Sequence, residues 1–430
     1  MPRALIAAVI AALVTLGPAE LSAKPASRDL GAPGTTLDVL TFNAYLRPVL
    51  PENQDKRMPL MAGELGGYDV LLLQELFSDW HRGKLLKALE DDYPHQSRVL
   101  GHDRGLGQDG GVVIASKWPI ELEFQRTFGT LCAGKDCFAE KGVLYARINK
   151  QGRRFHLFAT HLQSGADNAE LRARQLAAIK ALIDRMRLPA DEPVLIGGDL
   201  NVDRLADART GAFGAMIRIL DAGHPPPAAA GAYQPTIDPA LNRLADDKRP
   251  QYLDYVLYSR AHLRPTRASN RVRPVAARGQ PLSDHFAVHG HFVFAAAARP
   301  PGPGTFPFVE FFDGDDARRD FVCNVSLEEA RQVDLGTHPD CGGSRAHSFR
   351  LRDVPAGRVI RFYNGPRESR DTDWTEILPK RFLASRRFES FEINIDTADA
   401  RVTYVRRNGL DGRVSRIEIS AVPPAGPVVH

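Results

Sequence analysis

The spacing of apolar and polar positions changes several times along the chain, and each change predicts an element. Leu37–Asn43 (LDVLTFN) alternates with period two, the pattern of a half-buried strand, and ends on Asn43. Val70–Glu75 (VLLLQE) is a continuous apolar run that closes on Gln74 and Glu75, and Gly110–Ile120 (GGVVIASKWPI) is a second run behind a glycine pair. Val143–Ile148 and Arg154–His161 read as a strand pair. Asn168–Met186 then places Leu171, Gln175, Ile179, Leu182, Ile183 and Met186 on one helical face. Val194–Asp203 (VLIGGDLNVD) follows: an apolar run, two glycines, then Asp199 and Asn201, which an extended backbone projects to one side. Gly197 and Gly198 remove side chains where something approaches the backbone. Tyr252–Tyr258 and Phe286–Phe294 add two strands. Strands with helices between some of them predict a layered α/β domain around a mixed sheet core.

Ala295–Pro307 (AAAARPPGPGTFP) is too rich in Ala, Pro and Gly for a regular element and reads as a linker. Beyond it, Ser326–Gln332 is a short helix candidate, with Ser326 and Glu329 spaced as a capping box. Strands are expected at Ser348–Val354, Arg358–Tyr363, Phe388–Ile395, Arg401–Arg406 and Arg413–Ile419, a spacing that suggests an all-β sandwich. The expected division is a catalytic α/β domain over 24–296, a linker over 297–307 and a small β-sandwich accessory domain over 308–430.

At 430 residues the chain is too long for one ordinary core, which agrees with that division. An apolar fraction of 43% with 25% charged residues is globular rather than disordered. The net charge of +4 is compatible with phosphate-bearing partners without singling out nucleic acid. Arg3, the apolar stretch Ala4–Leu16, the break at Gly17-Pro18 and small Ala23 read as a signal peptide over 1–23, so a secreted or periplasmic location is expected. The apolar stretch is too short to span a bilayer. Cys132, Cys137, Cys323 and Cys341 form two local pairs. In an exported chain this predicts disulfides Cys132–Cys137 and Cys323–Cys341. No CxxC or HxxxH spacing surrounds them to suggest zinc.

Candidate chemistry sits at the strand ends of the first part: Asn43, Glu75, His161, Asp199 with Asn201, Asp254, and Asp284-His285. Ligand sites in layered α/β proteins gather at such ends. Singly, each has an ordinary structural explanation, such as a cap, a satisfied histidine or an Asp-Asn turn. Recurring in one register, they point to phosphoester hydrolysis. Glu75, aided by Asn43 and Asp284, offers hard oxygen ligands suited to Mg²⁺ or another divalent cation, which would polarise a phosphoryl oxygen. His285 can take a proton from water, His161 can donate to the phosphate or leaving oxygen, and Asn201 can hold the nucleophile or a non-bridging oxygen. No serine or cysteine occupies a nucleophile elbow, and no Gly-rich phosphate loop carries a lysine. Direct attack by water is therefore expected, and an NTPase is not.

The ordered set FN, QE, THL, GDLN, LDY and SDH resembles the deoxyribonuclease-I-like endonuclease/exonuclease/phosphatase superfamily over about residues 37–294. The resemblance implies a four-layer α/β sandwich. It also implies Glu75 as principal Mg²⁺ ligand with Asn43 beside it and Asp284 on the metal side. It makes His285 the base and Asp254 the carboxylate that orients it. Asp199 and Asn201 then position water and phosphoryl group, and His161 is the second catalytic histidine. Within the superfamily, Gln74-Glu75-Leu76-Phe77, Asp109-Gly-Gly-Val112 through Ser116-Lys-Trp-Pro-Ile120, Lys141-Gly142 and Thr160-His-Leu-Gln163 are similar to secreted bacterial neutral sphingomyelinases of the C type. That branch implies an edge metal site from the Phe77 backbone, Asp79 and Asp109, with Gln108 standing where a Glu is common. Leu76-Phe77 follows the metal Glu where abasic-site nucleases carry a Lys, a departure from that branch.

Two further features depart from the sphingomyelinase pattern. The Cys132–Cys137 spacing is narrower than the family's cysteine pairing. The region of its aromatic membrane hairpin is here Arg260–Pro281, which has no Trp, Phe or Tyr, carries several Arg and offers little apolar area to insert. Such a loop can still meet anionic headgroups. The resemblance thus implies a secreted Mg²⁺-dependent phosphodiesterase that hydrolyses sphingomyelin to ceramide and phosphocholine at a membrane surface, monomeric and without a stable nucleic-acid partner. A nuclease or a phosphoinositide or phospholipid phosphatase on the same site is the alternative. A catalytically inactive binding protein or toxin subunit is a third, opposed by the filled residue set. Outside this set, His289 and His291 have strand spacing that lets them share a metal. Arg358–Asn364 and Gly412–Ile419 are similar to βγ-crystallin-type strands.

Overall fold

The computed structural model describes residues 35–47, 53–102, 107–229, 234–296, 304, 306–315, 317, 321–328, 331–338, 340–341, 345–365, 373–407 and 409–420. The expected signal peptide and most of the expected linker lie outside these residues. The first elements are β1 (Thr36–Leu46), α1 (Gln54–Glu64), β2 (Val70–Leu76), α2 (Asp79–Ala88), β3 (His95–Gln96), β4 (Val113–Ser116), β5 (Ile120–Thr127), β6 (Gly142–Lys150) and β7 (Arg153–His161). Then come α3 (Ala169–Arg185), β8 (Val194–Asp199), α4 (Asp207–Thr210), α5 (Ala212–Leu220), β9 (Ala222–Gly223), β10 (Asp254–Ser259), β11 (Arg267–Arg273), β12 (Ala276–Ala277), β13 (Gln280–Pro281) and β14 (Ala287–Val293). They build two six-stranded sheets, ordered β11-β14-β1-β2-β4-β3 and β5-β6-β7-β8-β10-β9. Each sheet holds one parallel pair, β1 with β2 and β7 with β8.

Alternation along the strands decides which layer each side chain meets. Leu37, Val39, Val70 and Leu72 face Phe155, Leu157, Leu195 and Val256 between the sheets. The opposite rows, such as Leu40, Phe42, Leu71 and Leu73, pack under Met58 and Met61 of α1 and Leu85 of α2. Phe158, Ile196 and Leu257 pack under α3 and α5 through Leu176, Ile179, Leu182 and Met216. The result is the expected four-layer α/β sandwich. Each fully buried apolar side chain contributes about 1.5–3 kcal/mol, so these three cores dominate its stability. Among the described residues no helix is long and apolar enough to cross a membrane.

The glycine pair of β8 serves strand packing. A Cβ on Gly197 would lie 2.7 Å from Leu72 of the facing sheet. Gly198 has φ +140°, and a Cβ there would lie 1.9 Å from the Thr160 carbonyl oxygen of β7. What approaches the backbone is thus the neighbouring protein.

The C-terminal part is a β sandwich. Its elements are β15 (Phe308–Phe312), β16 (Phe321–Ser326), β17 (Arg331–Asp334), β18 (Ser348–Val354), β19 (Val359–Tyr363), β20 (Trp374–Pro379), β21 (Leu383–Phe388), β22 (Ile395–Asp396), β23 (Ala400–Val405) and β24 (Arg416–Ser420). A four-stranded sheet, β16-β15-β18-β21, and a six-stranded one, β17-β24-β19-β20-β23-β22, enclose a core of Phe311, Phe349, Phe362, Phe388 and Phe391. Two expected elements are corrected. Ser326–Gln332 is not a helix: Ser326 ends β16, its Oγ accepts from the Glu328 N–H, and Arg331 already begins β17. A serine hydroxyl can serve such a turn as readily as a helix cap. Phe388–Ile395 is not one strand: β21 stops at Phe388, and Asp411 accepts from Ser390 Oγ and the Phe391 N–H, turning the chain so that Phe391 enters the core. Both expected disulfides are present, Cys132–Cys137 and Cys323–Cys341.

The sandwich is bonded to the layered part rather than tethered beside it. Arg147 Nη1 meets Asp353 Oδ2 at 2.7 Å, both buried, and Arg98 Nη2 meets Glu310 Oε1 at 2.5 Å. The Thr127 N–H and hydroxyl both donate to Asp340 Oδ1, at 2.9 and 2.6 Å. Phe306 and Phe308 pack on Phe124, with centroids 4.9 and 5.2 Å away.

Gly198→Ala should lower stability by about 2–5 kcal/mol, combining left-handed strain with overpacking. A urea unfolding midpoint equal to that of the parent would contradict this account of the glycine pair.

Candidate active site

The site is the polar end of the row between the sheets. On β1 the row runs Leu37, Val39 and on to Asn43; on β7, Phe155, Leu157, Ala159 and on to His161. On β8 it continues from Leu195 to Asp199, and on antiparallel β10 from Val256 back to Asp254, which stands opposite Asp199 in register. Alternation alone therefore brings these four side chains to one cleft. The backbone bends where the strands end. β1 shifts register between Asn43 and Leu46, and Tyr45, Glu75 and Asn201 have φ near +50°. Non-glycine residues in this region cost about 1–3 kcal/mol each, and such residues cluster at functional sites.

His285 Nδ1 lies 2.8 Å from Asp254 Oδ2, and its Nε2 lies 3.8 Å from Asp199 Oδ2. His161 Nε2 is 3.5 Å from the same Asp199 oxygen and 3.3 Å from Lys141 Nζ. Lys141 also donates to Asp136 at 2.8 Å and to the Leu162 carbonyl at 2.9 Å. Asn43 Nδ2 donates to Asp199 Oδ2 at 3.2 Å. Asn201 donates its backbone N–H to Asp199 Oδ1 at 3.0 Å and its side-chain amide to the Leu162 carbonyl at 3.1 Å. Ser283 Oγ donates to the Asn43 carbonyl at 2.6 Å and accepts the His285 N–H at 3.1 Å, which ties the SDH loop to β1. Arg47 forks onto Glu75, Nε to Oε2 at 2.6 Å and Nη2 to Oε1 at 3.0 Å. The structure thus brings together His161, Asp199, Asn201, Asp254, His285, Asn43 and Glu75, with Asp284 within electrostatic reach of Glu75.

Charge is concentrated here. Burial, then Asp254, pushes Asp199 up to about 7. Burial likewise pushes Asp284 up to about 6, with Glu75 adding to the shift and His285 opposing it. Burial would raise Glu75, but the Arg47 guanidinium holds it below the usual range. Burial would lower His285, but Asp254 and Asp199 hold it well above an ordinary imidazole. Burial, then Lys141 and His285, holds His161 well below an ordinary imidazole. Asp254 Oδ1 and His161 Nδ1 are buried without a hydrogen-bond partner among the described residues. An oxygen-rich, carboxylate-crowded cleft of this kind fits a hard divalent cation at Glu75, Asp284 and Asn43. Arg47, whose side chain is 46% exposed, now supplies the positive charge at Glu75 and has to withdraw for a cation to enter.

The acids of the expected edge site are likewise held by a guanidinium. Asp79 and Asp109 do converge near Phe77, but on Arg82: its Nη2 bonds Asp79, and its Nη1 bonds Asp109 Oδ2 at 2.9 Å and the Leu76 carbonyl at 2.7 Å. Asp109 Oδ1 already accepts the Gly111 N–H at 2.8 Å. A guanidinium thus bridges the acids of the expected edge site, as Arg47 does at Glu75, and a cation would have to displace it. Arg47, Lys141 and Arg82 had no assigned role in the sequence reading. For Arg82 the i,i+3 spacing to Asp79 was the available signal. Arg82→Met should expose Asp79 and Asp109 and add about one equivalent of Ca²⁺ or Mg²⁺ binding by calorimetry. Equal stoichiometry in parent and variant would contradict this arrangement.

Residues 40–285 match the endonuclease/exonuclease/phosphatase family. Sphingomyelinase C of Leptospira interrogans is 32% identical over 305 residues, covering 62% of this chain and 53% of that protein, so the chain spans about half its length. The crystal structure of sphingomyelinase C from Streptomyces griseocarneus superposes with a TM-score of 0.53 at 32% identity, over 60% of this chain and 99% of that one. A double mutant of β toxin from Staphylococcus aureus, with bound magnesium ions, superposes with a TM-score of 0.54 at 28% identity, over 60% of this chain and 100% of that one. A match that begins in β1 and ends on His285, across the same layers that form the cleft, shows that this chain belongs to the endonuclease/exonuclease/phosphatase family.

Proposed function

We propose that this chain is a secreted, divalent-cation-dependent phosphodiesterase that hydrolyses sphingomyelin to ceramide and phosphocholine. The observation that carries the chemistry is the buried His285–Asp254 pair at 2.8 Å, with Asp199 beside it. The substrate follows from similarity to the sphingomyelinases, and the magnesium of the β toxin structure supports the choice of cation.

Asp254 fixes His285 through Nδ1 and, once the ring has lost its Nε2 proton, leaves that nitrogen toward Asp199 to take a proton from water. The water oxygen bonds to phosphorus, the bond from phosphorus to the ceramide oxygen breaks, and the proton is returned to that oxygen. Asp199, held by Asn43 and the Asn201 N–H, orients the water. His161, whose Nδ1 has no partner among the described residues, donates to a phosphoryl or leaving oxygen, and Lys141 beside it adds positive charge. Glu75, Asp284 and Asn43 would hold a divalent cation, which would neutralise charge on the phosphoryl oxygens.

Lipid contact is supported by Trp80, Phe138, Leu205 and Leu241, large apolar side chains exposed among the described residues. Each rides on a segment joined to a site residue: Trp80 after β2, Phe138 beside the Cys132–Cys137 loop, Leu205 after Asn201. Leu241 adjoins Asn242, whose amide donates to the Ser283 and Asp284 carbonyls. The hairpin β12–β13 brings only Ala276, Ala277, Gln280 and Pro281 to its strands. Two disulfides suit an oxidising, extracytoplasmic setting. Residues 24–296 would form the catalytic part and 308–430 an accessory module.

Offered sphingomyelin vesicles, short DNA and a phosphoinositide with Mg²⁺, the protein should release phosphocholine faster than it cleaves the others, and chelation should stop it. Faster cleavage of DNA or of the phosphoinositide would overturn the substrate assignment. His285→Ala should lower kcat by about two orders of magnitude or more, and Asp254→Asn by at least about tenfold. Full turnover in either variant would overturn the roles given to the pair.

A further inference from the structure

At the end of β1 remote from the cleft, three further ligating groups converge. Asp38 and His291 are cross-strand partners in register, and His289 stands two residues along β14 opposite Leu40. Asp38 Oδ1 lies 2.8 Å from His289 Nε2 and 2.8 Å from His291 Nδ1. The three ligand atoms all lie within 4.8 Å of one another, and the residues are only half-buried. Five residues of strand separate Asp38 from Asn43, about 17 Å, so this cluster shares nothing with the phosphoryl cleft.

We propose that Asp38, His289 and His291 form a binding site for a nitrogen-seeking divalent ion of the Zn²⁺ class, with water completing the coordination. The inference does not depend on the phosphodiesterase reading. Ligand atoms around a four-coordinate ion at about 2.0–2.1 Å sit about 3.3 Å apart. The present 2.8 Å contacts therefore need to open by about half an ångström, which is side-chain motion and not strand motion. The ion replaces the protons that the two ring nitrogens now share with the carboxylate.

The cluster is held in place by its surroundings. The Asp38 N–H donates to Asp69 Oδ2 at 2.9 Å, and Lys150 ties that oxygen to the Thr36 carbonyl at 2.7 and 2.8 Å. The Tyr68 ring meets His289 edge-on at 5.0 Å. Supporting contacts of this kind fix the orientation of metal-binding histidines. The local charge selects the kind of ion. Arg271 stands opposite His289 in register, and the charge of Arg267 reaches His291. Lys150 balances Asp69, and with Asp38 against these guanidinium groups the site has no excess negative charge to draw Mg²⁺ or Ca²⁺. Retention has to come from the imidazole nitrogens, which favour zinc, cobalt, nickel or copper over the alkaline earths.

The test uses the full chain, stripped with a chelator and titrated with Zn²⁺ by calorimetry and with Co²⁺ by visible absorption. One equivalent of Zn²⁺ should bind beyond any held by the cleft, and Co²⁺ should there give the strong visible bands of a low-coordinate nitrogen-ligated ion, which an oxygen-only site lacks. His291→Ala and His289→Ala should each weaken Zn²⁺ binding by at least about tenfold and remove the cobalt bands. Their unfolding midpoints in chelator and their Mg²⁺-supported turnover should stay near parent values, which separates site loss from misfolding. Zn²⁺ binding that is absent at micromolar ion, or unchanged in the double variant, would overturn the proposal.

Discussion

Carboxylates withdrawn from water are expensive unless countercharges reach them, and this cleft gathers Glu75, Asp199, Asp254 and Asp284. Arg47 answers Glu75, His285 answers Asp254, and Lys141 stands with His161 beside Asp199. These partners come from the end of β1, from the SDH loop and from the foot of β6. The layers therefore have to close correctly before the charges are compensated, and the cleft becomes a check on the fold around it. The same crowding makes the cleft receptive to a divalent cation: Arg47 is the most exposed of the countercharges and occupies the ligand that the cation needs.

Much of this was legible because a strand has a period of two. Asp199 and Asn201, read as i and i+2, and Asn43 and His161, read as the last members of apolar rows, needed only alternation and order to be placed together. Asp254 needed the family resemblance, since nothing local says that it would stand opposite Asp199. Side chains whose meaning depends on distant partners stayed silent. Lys141 acquires its role from His161 and Asp136, and Arg82 from Asp109, across a loop that periodicity does not close. At the edge site the acids are legible in the sequence, and the arginine that holds them is not. In the β sandwich, Ser326 misled because a serine next to a backbone N–H stabilises a turn as well as a helix cap.

The attachment of that sandwich reaches toward the cleft. Arg147–Asp353 and Arg98–Glu310 are ion pairs between buried or half-buried partners, and removing one partner of such a pair is far costlier than exchanging both for apolar groups. Asp340 binds both polar groups of Thr127, the last residue of β5. The next residue, Phe128, donates its N–H to the Lys141 carbonyl at 2.8 Å. The sandwich thus borders the loop that delivers Lys141.

Both disulfides lie on that route. Asp136, which holds Lys141, sits inside the five-residue Cys132–Cys137 span, and Asp340 adjoins Cys341. Reduction would return conformational freedom to both segments, while the two six-stranded sheets, which contain no cysteine, would keep their cores. The competence of the cleft is then a property of the surrounding medium as well as of the chain: the scaffold is indifferent to the redox potential outside it, and the lysine beside His161 is not.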